Sequence, residues 1–356
     1  MKILSRLTAL TSLIFLVAAG CSISFRTSGQ LDGGVFRSRD GGITWAQIVN
    51  AGRTAKGKLV RIDDVDVRFI RFDPTNPSTL YLVTRGAGIY RSDDRGDSWI
   101  KTGLSSGTYS TLAIDPSSSS ILYAAVGGTI IKSTDGGKSF VPIYFETKPD
   151  RVITDLTVSP GTTRFLLAAM STGEILQSVD YGNTWKIYSS LGLADSVSQL
   201  FFAPGSTTTL YALTVGHGLL KSDDVGRTWT PLSQNLSQYP GTTAVSSMTI
   251  LQKKPSTIYI ATNYGLLVTQ DGGASWTPIQ TLVPFNSQPI QFVAVNFDNT
   301  NILYVMVGNR LRKSEDGGST WDAKISLPTG RLVSMLTLNP NDPNELYIGT
   351  LNPRKR

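Results

Sequence analysis

The sequence predicts an all-β chain: a seven-bladed β-propeller of four-stranded antiparallel blades, closed by pairing the N-terminal strands with the C-terminal ones. Three observations carry this. A short string, seen in full as Ser314-Glu315-Asp316-Gly317-Gly318-Ser319-Thr320-Trp321, recurs seven times, with further copies starting at Ser38, Ser92, Ser133, Ser178, Ser222 and Thr269. Its aspartates, Asp40, Asp94, Asp135, Asp180, Asp224, Asp271 and Asp316, are spaced by 54, 41, 45, 44, 47 and 45 residues, the period of a propeller blade. All six tryptophans of the chain (Trp45, Trp99, Trp185, Trp229, Trp276 and Trp321) close a copy of the string, and Phe140 closes the remaining one.

In chain order, residues 1–20 read as an export leader, with Lys2 and Arg6 ahead of a short apolar run ending at Ala19. That run falls short of the roughly 20 apolar residues a membrane span needs. Val17-Ala18-Ala19-Gly20-Cys21 resembles the lipobox of bacterial lipoproteins, which implies cleavage before Cys21 and lipidation of its thiol. The expected outcome is a protein held on the extracytoplasmic side of a bacterial membrane. Residues 21–32 then serve as a tether, 33–351 as the propeller and 352–356 as a basic tail. Cys21 is the only cysteine, so internal disulfides and paired-cysteine metal or redox sites are excluded.

The unit at 152–188 shows how one period holds four strands. Residues 152–158 alternate apolar and polar as a half-buried strand does, and Ser159-Pro160-Gly161 breaks them. Residues 165–170 form an apolar run suited to burial, 174–178 a third strand, and 184–188 a fourth after the string has turned the chain. The second strand repeats an aliphatic–Tyr pair, as in Leu80-Tyr81, Leu122-Tyr123, Leu210-Tyr211, Ile258-Tyr259, Leu303-Tyr304 and Leu346-Tyr347. An aromatic at a fixed strand position buries a large area between neighbouring sheets.

The first string has no first and second strands before it, and the last is followed by a first and second strand with no partners. The two halves therefore complete one blade, and closure removes exposed sheet edges.

The strings resemble the Asp-box, or BNR, repeat. The whole mature chain resembles the seven-bladed Asp-box propellers, most closely the Ycf48-like photosystem II assembly group. The resemblance implies that the string forms the turn between third and fourth strands, with the aspartate accepting backbone N–H groups and the aromatic packed beneath. A turn is favoured over a calcium site, because calcium needs six or more oxygens and most copies offer one carboxylate. No cofactor is implied.

The wider superfamily includes sialidases and xyloglucanase-type glycosidases. The nearest strings to the sialidase arginine element, around Phe36-Arg37 and Phe69-Ile70-Arg71, do not match it. A glycosidase would need two facing carboxylates, and Asp63, Asp64, Asp66, Glu146, Asp150 and Asp195 are the acids outside the strings to consider. His217 is the only histidine, which removes triads and multi-histidine metal sites. A net charge of +7, falling to +5 without the leader, is compatible with anionic lipid or an acidic partner and carries no nucleic-acid signature.

Function is therefore expected on the face opposite the strings, where the loops are irregular. The segment 50–65 carries Arg53, Lys56, Lys58 and Arg61, and shorter loops bring Arg85, Tyr264, Arg310 and Arg331 to the channel mouth. The favoured expectation is a non-catalytic, membrane-tethered binding or assembly propeller with a protein partner. A glycan-active or glycan-binding surface protein is the alternative.

Overall fold

In the computed structural model, which describes residues 32–53, 56–192, 195–323 and 325–352, the seven periods form seven antiparallel sheets around a central channel. The leader and Cys21 lie outside the described residues. Blades 1 to 6 occupy residues 67–101, 111–145, 153–190, 197–231, 245–279 and 290–314. Blade 7 is composite. Leu332–Asn339 and Asp342–Leu351 are its two inner strands, Val35–Ser38 and Ala46–Gln47 its two outer ones.

The closing pairing runs Val35 opposite Gly349 through Ser38 opposite Leu346. It is secured at both ends. Thr350 donates its N–H to Gly34 O at 3.0 Å, and Arg37 reaches into blade 1, donating to Arg95 O and Asp97 Oδ1, each at 2.6 Å. Arg37 also lies 3.7 Å from Glu345, a fully buried carboxylate that accepts from the Asn339 amide. Removing Arg37 would leave that buried carboxylate with the solvent-exposed Arg39, 3.5 Å away, as its one remaining cation among the described residues, a costly arrangement.

Why the second strands are apolar throughout is visible in their packing. Leu166–Met170, Leu210–Thr214 and Leu303–Val307 are buried at every residue, because each lies within a sheet covered on both faces by neighbouring blades. The core accordingly falls into seven clusters, one at each blade–blade interface. The tyrosines of the aliphatic–Tyr pairs cross these interfaces. Tyr81 Oη donates to Gly136 O of blade 2, Tyr123 Oη to Tyr181 O of blade 3, Tyr304 Oη to Gly41 O of blade 7, and Tyr347 Oη to Arg95 O of blade 1. A buried phenol needs a partner, and the next blade's turn supplies one.

Three departures from the regular pattern arise locally. Segment 50–65 is not a plain loop: Asn50–Arg53 pairs with Leu59–Arg61 as a short hairpin, and the Trp99 N–H and ring Nε1 donate to Asn50 O and Ile48 O at its root. Gly107–Thr108 adds a short pairing to Leu80–Gly86. Among the described residues, the outer strand of blade 6 is one bridge between Lys313 and Asp322.

A chain ending at Arg331 lacks both inner strands of blade 7 and leaves Val35–Ser38 unpaired. It is expected to show no cooperative thermal transition by circular dichroism; a melting curve like that of the full chain would contradict the closure.

Candidate functional site

The seven repeated turns share one set of hydrogen bonds. In blade 6, Ser314 Oγ donates to Asp316 Oδ1 at 2.8 Å and accepts from the Gly318 N–H at 2.8 Å. Asp316 Oδ1 accepts the Thr320 N–H at 2.8 Å, and Oδ2 accepts the Thr320 hydroxyl at 2.6 Å. The same bonds recur around Asp40, Asp94, Asp135, Asp180, Asp224 and Asp271.

Two consecutive residues in each turn have positive φ, which explains the recurring glycine. Where glycine is absent from the first of these positions, Arg95, Tyr181 and Val225 hold φ of 59°, 61° and 64°. Each turn also donates a backbone N–H to the loop between the first and second strands of its own blade or to the start of the second strand, as Gly317 does to Asn301 O and Gly41 to Asn344 O. Both loop sets thus share one face.

The aromatics are less uniform. Trp99 and Trp276 are buried, whereas Trp45, Phe140, Trp185, Trp229 and Trp321 are half-buried. Trp45, Trp185, Trp229 and Trp321 donate Nε1 to the carbonyl of the glycine three residues earlier.

The opposite face holds the mouth. Its hairpin, Asn50–Arg53 with Leu59–Arg61, exposes Arg53, Lys56 and Lys58. Arg53 donates to Gly57 O at 2.9 Å, and Arg61 is half-buried against Asp63, Nε to Oδ2 at 2.7 Å. Arg331 is turned inward: Nε donates to Asp32 Oδ1 and Nη2 to Asp64 Oδ1. Arg310 is exposed at the start of its strand. Tyr264 stacks on Phe285, centroids 4.9 Å apart at 12°, and packs on Tyr239 at 5.1 Å.

Most of the acids considered for sugar chemistry already have partners. Glu146 lies 3.6 Å from Arg151, Asp66 accepts the Asn352 N–H, and Asp150 is exposed. Asp195 is buried beside His217 and accepts its Nδ1 at 2.9 Å together with the Gly216 and His217 N–H groups. Burial raises the Asp195 pKa, but these hydrogen bonds outweigh it and hold the carboxyl below its ordinary range. The pair fixes the His217 ring on the mouth loop of blade 4.

The channel itself is a cavity of about 660 Å³, lined by the inner strands. Arg85, one of the residues expected at the mouth, lines it, joined by Arg68 and Arg71 of Val67–Phe72. The sequence did not mark these two as mouth residues, Arg71 entering only with the Phe69-Ile70-Arg71 string; the available signal was a pair of arginines in a strand whose counterparts carry no basic side chain.

Asp155 is the only carboxylate among the lining residues, and it is fully committed. It accepts from Thr111 Oγ1 of blade 2 at 2.5 Å, from its own neighbour Leu156 N at 2.9 Å, and from Leu200 N of blade 4 at 2.7 Å. One carboxylate thereby ties three inner strands together. Burial pushes its pKa upward, against the pull of Arg71 and the three donors. Among the described residues no cluster of three or more histidines, cysteines or carboxylates is placed to hold a metal ion.

The chain is similar in fold to two groups of solved propellers. A GH74 enzyme from Niastella koreensis shares 20% identity at a TM-score of 0.64, covering 85% of this chain and 52% of that one. A structure described as YCF48 bound to D1 peptide shares 15% identity at 0.62, covering 81% and 93%. YCF48 from Cyanidioschyzon merolae shares 17% at 0.60, covering 81% and 96%. The chain thus spans about half the length of the GH74 structures and nearly the whole of the YCF48 ones. No protein-family model matches the chain. No curated protein does either.

The turns make stability depend on acid in a defined direction. Hydrogen bonds from Thr184, Thr228 and Thr320 hold Asp180, Asp224 and Asp316 at about 2, below the ordinary 3.8. Asp40, Asp94, Asp135 and Asp271 are lowered too. Their stabilisation is complete above the unfolded value and is lost as pH falls through the folded ones. Asp155, shifted upward, acts oppositely, but the seven turns outnumber it. The urea midpoint is expected to drop between pH 4 and pH 2, with a shallower drop in Asp316→Asn; a flat profile across that window would contradict the role of the turns.

Proposed function

We propose that the chain is a non-catalytic binding propeller, tethered to a membrane through Cys21, that offers its channel-mouth face to an acidic protein partner. The observation that carries this is the imbalance of free charge at the mouth. Among the described residues, no carboxylate lies within salt-bridge distance of Arg68, Arg71 or Arg85, which line the channel, and Arg53, Lys56 and Arg310 are exposed on the segments that lead into Val67–Phe72 and Arg310–Ser314. The acids of that face are largely committed to Arg61, Arg151, Arg331 and His217. Arginine and tyrosine at a concave mouth are the side chains that dominate protein interfaces. One structural neighbour, matched over 93% of its length, is a propeller bound to a peptide, and the reading carries that mode of use to this chain.

A second reading, glycan binding, is favoured by one feature. The Tyr239–Tyr264–Phe285 stack forms an aromatic platform on the same face, the kind of surface on which a sugar ring packs. The GH74 neighbours are consistent with it, although the two-carboxylate geometry that glycoside cleavage requires has no counterpart among the committed acids described above.

Affinity capture from membranes with the full chain separates the readings. The triple variant Arg53→Glu, Lys56→Glu, Arg310→Glu is expected to lose roughly tenfold in affinity for the captured protein, by loss of steering and rim charge, with an unchanged unfolding midpoint. Turnover or saturable binding of xyloglucan or sialosides, with unaltered protein capture by the variant, would overturn the proposal.

A further inference from the structure

In six of the seven blades the register between the inner strand and its neighbour slips by one residue near the mouth. The residues left over are Arg68, Thr154, Ser198, Ser246, Gln291 and Ser334. A bulge of this kind takes its extra residue out of the ladder and re-aims its side chain, and such bulges gather beside functional sites. Five of these residues are uncharged. Blade 1 alone places an arginine there.

Arg68 does not act singly. Arg71 and Arg85 line the same cavity, with Ser198, Ser246 and Ser334. Burial holds the Arg68 guanidinium below the ordinary arginine range; the like charge of Arg85 adds to this, Asp155 opposes it, and Arg71 adds further. Arg71 is steadied over the Phe69 ring, 4.5 Å from its centroid. Among the described residues, none of the three guanidiniums donates a hydrogen bond to the protein or lies within salt-bridge distance of a carboxylate. Ser334 Oγ is buried in the same wall and has no hydrogen-bond partner among the described residues.

The charges do not balance internally. Three guanidiniums face one carboxylate, and both oxygens of Asp155 are occupied by donors from blades 2, 3 and 4. At least two positive charges are left over. A phosphate monoester carries close to two negative charges and three acceptor oxygens, whereas a carboxylate brings one charge and two oxygens. The guanidinium fork matches phosphate oxygens bidentately. The cavity volume, about 660 Å³, lies within the range of small-molecule sites and leaves room for an organic group beyond the phosphate.

We propose that Arg68, Arg71 and Arg85, with the Ser334 hydroxyl as a further donor, form a binding site for a phosphate monoester in the channel. The site stands whether or not the mouth also carries a protein partner.

Titration calorimetry on the folded chain tests it, with inorganic phosphate and glycerol 3-phosphate as probes and acetate as comparator. Saturable binding of both phosphates, with acetate much weaker, is expected. Arg68→Gln and Arg85→Gln should each weaken phosphate binding roughly tenfold or more, the loss typical of one charge-assisted contact. Arg85→Lys, which keeps the charge and loses the fork, should fall between.

Flotation with phosphatidic acid and phosphatidylcholine vesicles separates the sources. Capture by phosphatidic acid alone, lost in Arg68→Gln, assigns the phosphate to a lipid headgroup. Glycerol 3-phosphate binding without capture assigns it to a soluble ligand. Should a variant fail to fold, a phosphate-dependent rise in the unfolding midpoint of the unaltered chain, absent with acetate, still supports the site. Absence of saturation by either phosphate, acetate binding equally well, variants binding as tightly as the parent, or saturable binding of an acidic peptide alone would overturn the proposal.

Discussion

Everything in this molecule depends on one pairing between residues far apart in sequence, Val35–Ser38 against Asp342–Leu351. An open row of seven sheets would end in two uncovered faces and two unpaired edges, both of which invite association with other chains. Closing the ring covers both faces. It also places blade 7 beside blade 1, so that Tyr347 and Arg37 meet the Arg95 carbonyl. The closing contact is thus the same joint that Tyr81, Tyr123 and Tyr304 make elsewhere, with an arginine added where the chain ends meet.

The repeated aspartate turns take their meaning from that joint. Each aspartate folds its own turn by accepting a backbone N–H and a hydroxyl four residues on, and the folded turn offers a carbonyl to the previous blade's tyrosine in four of the seven interfaces. Lys132 and Arg91 strengthen two of these contacts by donating to the same carbonyls, Tyr181 O and Gly136 O. A carboxylate with both oxygens engaged inside its own turn has little left for a ligand. The other face is free of this duty, and there the repeat lapses into a hairpin, irregular loops and an aromatic stack.

The period, the four strands, the composite blade and the face carrying the turns were all legible in the sequence, because each follows from a pattern repeated seven times. Position-specific chemistry was less so. Arg85 was placed at the channel mouth from its turn alone, but Arg331 is spent on Asp32 and Asp64, contacts across some 270 to 300 residues that no local pattern announces. Arg68 and Arg71 were not marked as mouth residues because a bulge, not alternation, decides which way they point. Asp155 was passed over for a similar reason: its partners Thr111 and Leu200 become neighbours only when blades 2, 3 and 4 stand side by side. Repetition encodes the scaffold, while the channel arginines lie where one blade differs from the rest.

The central claim is that this protein meets its partner through the channel mouth and not through the box turns. Photocrosslinking amino acids placed singly at Arg310 on the mouth and at Ser319 on a box turn, in the full chain presented to a membrane fraction, test it most directly. The account requires a discrete crosslinked partner from position 310 and none from position 319. Adducts from 319 with 310 silent would contradict it.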